Sequence, residues 1–462
     1  MTPGTIAAAI GAHVAGPGSE REISGFSIDT RTISPGDMFV AIRGERFDGN
    51  QYVAEAVRKG AVGAIVSDGS LAGSSDLATT PLVVVPDTVA ALQALASRVR
   101  RDSGAAVVAV TGSAGKSTTK EITAEFLSAR YRVFRNKGNL NNHIGLPLSL
   151  LELRHKPDIG VLELGMNHFG EISALVKIAE PEVRVWTNVG PAHLEFFGTV
   201  EAIAEAKAEI LEGAGRDDLL VANADDELVM RHARDFAGRV RTFGVEGPAD
   251  VRALAVRDLG IDGTAALVRT PIGEAEIRTP LPGTANLANI LAAAAVAIRF
   301  DIPLGDIVTR AAALKPIARR GEVTRTSRLA IVDDSYNSNP KALSRALALV
   351  AGETRYGRKV AVIGEMLELG GASPDLHRAS GQEAARAGIS ELIAVGGPNA
   401  RALAEGAAVA GMAAATVHYV QNSRDAADLV VTLVRPGDLV LVKGSRGIRT
   451  EVVADRLKAE FA

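Results

Sequence analysis

Between Ala105 and Thr119 the chain reads AAVVAVTGSAGKSTT, and this stretch restricts what the rest can become. A Val-rich apolar run stops at Thr111-Gly112. Gly115-Lys116-Ser117-Thr118 follows, and Ile122, Phe126 and Leu127 then recur at helical spacing. A strand, a glycine loop and a helix in that order make a phosphate cradle, because loop amides and the positive end of the helix dipole face bound anions. Lys116 is placed to reach the outer phosphates and Ser117 to put a hydroxyl on Mg²⁺. Thr111, Gly112, Ser113, Ala114, Gly115 and Thr118 complete the nucleotide loop. The usual spacing asks for a glycine five residues before Gly115, where this chain has Val110.

Such a loop needs a sheet, and the chain supplies one. Short apolar runs at 133–134, 159–164, 183–187, 219–222 and 240–243 alternate with helical patterns. That alternation implies a mostly parallel sheet covered by helices on both faces. Residues 251–279 change character, alternating around Gly260-Ile261-Asp262-Gly263 and Pro271-Ile272-Gly273 as antiparallel hairpins do. A chain of 462 residues has room for about three domains. We expect an α/β fold with domains at 1–85, 86–317 and 318–462. The first carries strands at 39–42, 61–66 and 82–85. The third alternates strands at 329–332, 360–363, 392–395 and 439–442 with helices, as a smaller Rossmann-like domain does.

Charge and composition exclude several function classes. With 51 basic against 54 acidic residues, the net charge of -3 gives no reason to expect nucleic acid or an anionic membrane surface. No cysteine occurs, which excludes disulfides and thiolate catalysis and agrees with a reducing cytoplasm. The opening MTPGTIAAAIGAHVAG lacks a basic n-region, and no apolar run approaches the ~18 residues of a membrane span. We expect a cytoplasmic protein without membrane insertion.

In parallel sheets, ligands gather beyond the carboxyl ends of the strands, so polar residues there carry the functional reading. Glu163 ends the apolar run of VLELGMNH, where a carboxylate needs a metal or a hydrogen-bonded loop. His193 follows the next strand, as polar surface or as a ligand. Lys207 falls on the apolar stripe of Val200, Ile203, Ile210 and Leu211. Its stem is buried there with the ammonium reaching solvent, or its amine faces a site. NKGNLNNHIGLP, from Asn136 to Pro147, reads as a tight turn or as a surface for a polar substrate. Asp48-Gly49-Asn50 reads equally well as turn chemistry. Asp333-Asp334-Ser335-Tyr336-Asn337-Ser338-Asn339-Pro340 and Lys443-Gly444-Ser445-Arg446 both follow strands of the third segment.

Together these motifs resemble the Mur ligase family of peptidoglycan synthesis over nearly the whole chain. The first segment contributes SIDTRTISPGDMFVAIRG and FDGNQYV. The centre adds TGSAGKSTTK, NKGNLNNHIGLPLSLL, LELGMNHFGEI, NVGPAHLEFFG and EAKAEIL. The third segment adds DDSYNSNPKAL, GEMLELG and KGSR. The family's phosphate loop lacks the early glycine, so Val110 fits it.

The resemblance implies a three-domain ligase: a small UDP-binding domain, a central P-loop ATPase-type sheet and a Rossmann-like acceptor domain. DSYNSNP and GEMLELG point to joining D-alanyl-D-alanine to UDP-N-acetylmuramoyl-tripeptide with ATP, through an acyl phosphate, by a monomer. Folylpolyglutamate synthase is the alternative on the same plan. The resemblance further implies that Lys116 and Arg320 neutralise phosphate. Ser117 and Glu163 hold one Mg²⁺, His193 a second, and Lys207 carries a carbamate. Asn286 and Asn289 face adenine, and Asp334 the ribose. Asp29 and Arg31 lie near UDP, and Asn139 and Asn142 near the muramoyl peptide. Asn337, Asn339, Ser445 and Arg446 face the peptide substrates. Two departures stand out: Thr284-Ala285 replace the family's basic residue and His before the adenine-site Asn, and Arg319 replaces its Gly.

Overall fold

The computed structural model describes residues 1–44, 47–192 and 194–462. His193 therefore lies outside the described residues. The chain forms two compact units. One comprises Met1–Ala109, Tyr131–Met166 and Gly170–Glu182, and the other Val110–Arg130, Asn167–Phe169 and Val183–Ala462.

In the first unit, β1 (His13–Ala15), β2 (Gly25–Ser27), β3 (Asp37–Val40), β4 (Gly63–Val66) and β5 (Leu82–Val84) form a five-stranded sheet. Its order is β1-β5-β4-β3-β2, parallel except for the β1–β5 pair. Every residue of β4 is buried, which is why it reads as a continuous apolar run and not an alternating one. β3 ends two residues before the apolar run 39–42 does. The Ile42 N–H turns back to the Val40 carbonyl at 2.9 Å and leaves the ladder.

β6 (Ala106–Thr111) starts in the first unit and ends in the second. In the first unit β7 (Val133–Arg135) pairs in parallel with β8 (Ile159–Glu163). In the second, β9 (Val183–Trp186), β10 (Leu219–Asn223), β11 (Arg239–Gly244) and β12 (Val251–Asp258) pair in parallel series. β13 (Thr264–Thr270) and β14 (Gly273–Thr279) extend them as antiparallel hairpins, as the change of pattern at 251–279 predicts. The order of this nine-stranded sheet is β14-β13-β12-β11-β10-β9-β6-β8-β7.

The second unit also holds β15 (Glu322–Arg325), β16 (Ala330–Asp334), β17 (Lys359–Gly364), β18 (Glu391–Val395), β19 (Val417–Val420) and β20 (Leu439–Lys443). They are ordered β15-β16-β20-β17-β18-β19, with only β15 antiparallel. Ala330, Val332, Ala361, Ile363 and Leu441 pack on one face, and Ile331, Val360, Val362, Val440 and Val442 on the other. Side chains alternate along a strand, so burial on both faces requires apolar residues at every position.

Two helices position the phosphate loop. The helix Lys116–Leu127 begins at Gly115, whose φ of 84° is left-handed and suits glycine. Against it packs the helix Thr284–Arg299, buried at Leu287 and at all of 289–298. Apolar on every side, this helix belongs in a core, and its N-terminal Asn residues are carried to the loop.

Candidate nucleotide and ligation site

The phosphate loop is held from the end of β9. Gly112 has φ 145°, and a Cβ there would collide with Thr187 Oγ1 and sit 3.1 Å from the Asn188 N. Thr187 Oγ1 donates to the Ala114 carbonyl at 2.7 Å. Asn188 binds Ala114 twice: its Nδ2 donates to the carbonyl (3.0 Å) and its Oδ1 accepts the N–H (2.9 Å). Ser113 and Gly190 exchange two more bonds, of 3.1 and 3.0 Å. Lys116 Nζ donates to the Gly112 carbonyl at 2.7 Å, folding the amine back over the loop. These bonds fix the loop amides in advance, which reduces the ordering cost of anion binding. We expect Gly112→Ala to lower stability by about 1–3 kcal/mol, through a left-handed Cβ that also meets Thr187. A urea unfolding midpoint equal to the parent's would contradict the close approach.

A cavity of about 370 Å³ opens beside the loop, within the second unit. Ser113, Ala114, Gly115 and Thr118 line it from the loop. Asn286 and Asn289 line it from the helix Thr284–Arg299, and Arg320, Asp334, Asn337 and Asn339 from the third segment. Asn289 is buried, and its Oδ1 accepts from Thr119 Oγ1 at 3.2 Å beside Gly115. Asn286 Nδ2 donates to the Pro282 carbonyl at 2.8 Å. Lys443 Nζ bonds the Asp334 carboxylate at 2.5 Å and the Asn337 carbonyl at 3.0 Å, which fixes Asp334 at the cavity wall. The Arg320 guanidinium lies 3.9 Å above the Tyr336 ring, and that of Arg446 is 5.2 Å from the same ring. Ser445 Oγ accepts the Leu367 N–H at 2.9 Å. Asn339 accepts the Ala342 N–H and caps the helix Pro340–Gly352, a structural task.

Arg319 occupies a left-handed position, φ 64°, where the resemblance has glycine. Such a conformation costs a side-chain-bearing residue about 1 kcal/mol or more. The guanidinium partly offsets it, reaching Asp455 at 3.1 Å and Glu451 at 3.9 Å.

Lys207 does not snorkel. It is 2% exposed, and burial first, then the charge of Lys116, holds its amine well below the usual lysine range. Among the described residues it has neither a hydrogen bond nor an ion pair. Desolvation favours the uncharged form of the amine, which is the nucleophilic one.

In the first unit, Glu163 is also buried. Its Oε1 accepts from Asn141 Nδ2 at 2.8 Å, while its N–H donates to Asn136 Oδ1 at 2.9 Å. Two Asn of the NKGNLNN run thus brace the end of β8. Asn142 instead accepts the Ile144 and Gly145 N–H groups at the start of the helix Gly145–Leu150, and among the described residues Asn139 is engaged through its backbone carbonyl. Asp29 and Arg31 pair with each other, at 2.6 Å between Nη2 and Oδ2. Hydrogen bonds from Arg31 lower the Asp29 pKa from 3.8 to about 2. A depressed carboxylate stabilises the fold above the unfolded value of 3.8 and loses that contribution as pH falls through about 2. We expect the Asp29 carboxyl carbon to titrate near pH 2 by NMR, and Arg31→Ala to raise the midpoint toward 3.8. A midpoint unmoved by the substitution would remove the pair.

Bracing residues to which the sequence assigned no individual role are Thr187, Asn188, Asn141 and Lys443. The only signal each gave was a polar residue just past a strand end or inside an Asn-rich run.

Strand, loop and helix of this geometry define a phosphate-loop nucleotide-binding α/β protein. Three family models match the chain: the Mur ligase family catalytic domain over residues 22–100, the Mur ligase middle domain over 110–297, and the Mur ligase glutamate ligase domain over 319–446. The chain belongs to the Mur ligase family. It is 34% identical over 442 residues to the UDP-N-acetylmuramoyl-tripeptide–D-alanyl-D-alanine ligase of Bacillus subtilis (strain 168), covering 95% of this chain and 94% of the relative. A crystal structure of MurF from Acinetobacter baumannii superposes with a TM-score of 0.88 at 32% identity, over 99% of this chain and 98% of that one. MurF from Thermotoga maritima in complex with ADP gives 0.82 at 31% identity, over 95% and 97%.

Proposed function

We propose that this chain is an ATP-dependent amide ligase adding D-alanyl-D-alanine to UDP-N-acetylmuramoyl-tripeptide to give the pentapeptide, in the cytoplasm and as a monomer. The observation that carries the reading is similarity along nearly the entire length to ligases named for that reaction, with the phosphate loop intact. None of the described helices is long and apolar enough to cross a membrane. In this reading 1–85 takes the UDP end, 86–317 takes ATP and 318–462 takes the acceptor.

A carboxylate is a poor electrophile, so ATP transfers its γ-phosphoryl group to the tripeptide's terminal carboxylate. The acceptor amine then adds to the acyl carbon of the acyl phosphate, and phosphate leaves with the C–O bond electrons. The first step brings two anions together, which Lys116 and Arg320 offset. Asn286, Asn289 and Asp334 hold the nucleoside, and Asn337, Ser445 and Arg446 face the peptides.

Mg²⁺ prefers hard oxygen donors. Among the described residues no cluster of three His, Cys, Asp or Glu could hold a metal ion. On the family resemblance the Ser117 hydroxyl, the Glu163 carboxylate and a carbamate on Lys207 would be its donors, and His193 a donor to a second ion. Bound Mg²⁺ supplies charge neutralisation for the transferred phosphoryl oxygens. Lys207 supports the carbamate because burial favours its uncharged amine, the form that attacks CO₂ and loses one proton to leave an anionic oxygen ligand.

The test is phosphate release with each component omitted in turn. Release is expected only with ATP, the UDP-linked tripeptide and D-alanyl-D-alanine together. Turnover with folate and glutamate in their place would assign the chain to the folylpolyglutamate plan.

A further inference from the structure

One wall of the cavity is the helix Pro340–Gly352, and its two ends fix a direction. The Lys341 side chain packs at 3.5 Å against the Cβ position of Gly190, beside Ser113 of the phosphate loop. At the other end a Cβ on Gly352 would lie 3.8 Å from Asp258 Oδ2. The helix turns Ala342, Arg345, Ala346 and Leu349 to the cavity, at the i, i+3, i+4, i+7 spacing of one face. Arg345 therefore stands one turn, roughly 5–6 Å, beyond the phosphate end.

Three cations line the cavity among the described residues. Lys443 is bonded to Asp334, and Arg320 lies over Tyr336. Among the described residues Arg345 has no hydrogen bond and no ion pair. The residue is exposed overall, yet the surroundings of its head desolvate it enough to lower its pKa from the usual arginine value, against the pull of Glu246. The two helices that line the cavity contribute Ala285 and Ala288 on one side and Ala346 and Leu349 beside Arg345 on the other, among its polar residues. Small residues leave flat space, and a guanidinium is a plane that stacks on aromatic faces.

We propose that Arg345 covers the face of the nucleotide's purine base and so determines nucleoside affinity, separately from the phosphate contacts. The proposal rests on the reading of this cavity as the ATP site. A stacking cation recognises a π-face and not the base edges, so adenine and guanine gain alike, pyrimidines gain less, and a ligand without a base gains nothing.

Calorimetric titration of the full chain with ADP, GDP, UDP and inorganic tripolyphosphate tests it. Arg345→Ala is expected to weaken ADP and GDP roughly tenfold, to weaken UDP less, and to leave tripolyphosphate unchanged. Arg345→Lys keeps the charge but not the plane and is expected to resemble Arg345→Ala. Equal weakening of tripolyphosphate, or full recovery by Arg345→Lys, would make Arg345 a simple charge contact and overturn the proposal. Unchanged ADP affinity would also overturn it. The ATP reading is checked apart from this one, by loss of tripolyphosphate binding in Lys116→Ala. A parent protein that binds neither ADP nor tripolyphosphate sinks both.

Discussion

Lys116→Ala is expected to abolish ligation, with phosphate release at least about a hundredfold slower, a barrier increase of about 3 kcal/mol or more. The size follows from where the charge sits. The Lys116 amine is held 2.7 Å from the Gly112 carbonyl, in a loop already fixed by Thr187 and Asn188. A preorganised cation needs no reorientation as phosphoryl charge develops, and water replacing it would need to reorganise. Its bond to the Gly112 carbonyl lies at the edge of the cavity and not in a core, so unfolding midpoints should change little. Near-normal phosphate release from the folded variant would sink the assignment of this loop to the transferred phosphate. The substitution has a second consequence. Lys116 is one of the two causes that depress the Lys207 pKa, so its removal should raise that pKa and move any dependence on the neutral amine to higher pH.

Lys207→Met should separate chemistry from folding more sharply still. Burying an amine without a partner is unfavourable, and a thioether of similar length fills the same space without that penalty. The unfolded chain binds a proton that the native chain resists, so Lys207 weakens the fold below its lowered pKa, and stability rises with pH from that value to 10.5. At neutral pH, Lys207→Met is therefore expected to be at least as stable as the parent, while ligation falls by a hundredfold or more. If the amine works as a carbamate, small carboxylates should partly rescue Lys207→Ala, and the parent should lose activity when stripped of CO₂ and regain it with bicarbonate. A fully active Lys207→Ala, needing no rescue, refutes the role.

The chain discloses its site unevenly, for physical reasons. The phosphate loop is legible because its parts are consecutive: strand, glycines and helix start lie within fifteen residues, and each has a local signature. The buried lysine was legible as a position, since it falls on an apolar stripe, but periodicity cannot tell a snorkelling stem from a sealed amine. The clamp on the loop was not legible. Thr187 and Asn188 meet Ala114 across more than seventy residues, and such pairing is set by which strands become neighbours. Within NKGNLNN the sequence cannot choose among its Asn residues. The backbone path makes Asn141 the partner of Glu163 and sets Asn142 to accept the Ile144 and Gly145 N–H groups before the next helix. Arg319 shows the reverse case: a residue that looks like a defect is tied down by Asp455.

The central claim is that ATP's phosphoryl group passes to the tripeptide's carboxylate before the amide forms. The most direct measurement uses UDP-muramoyl tripeptide labelled with ¹⁸O in its terminal carboxylate, followed by mass analysis of the phosphate released with ATP and D-alanyl-D-alanine. Activation by phosphorylation predicts one ¹⁸O in each phosphate, because the carboxylate oxygen that attacks phosphorus leaves with it. Unlabelled phosphate alongside normal pentapeptide formation would contradict the account.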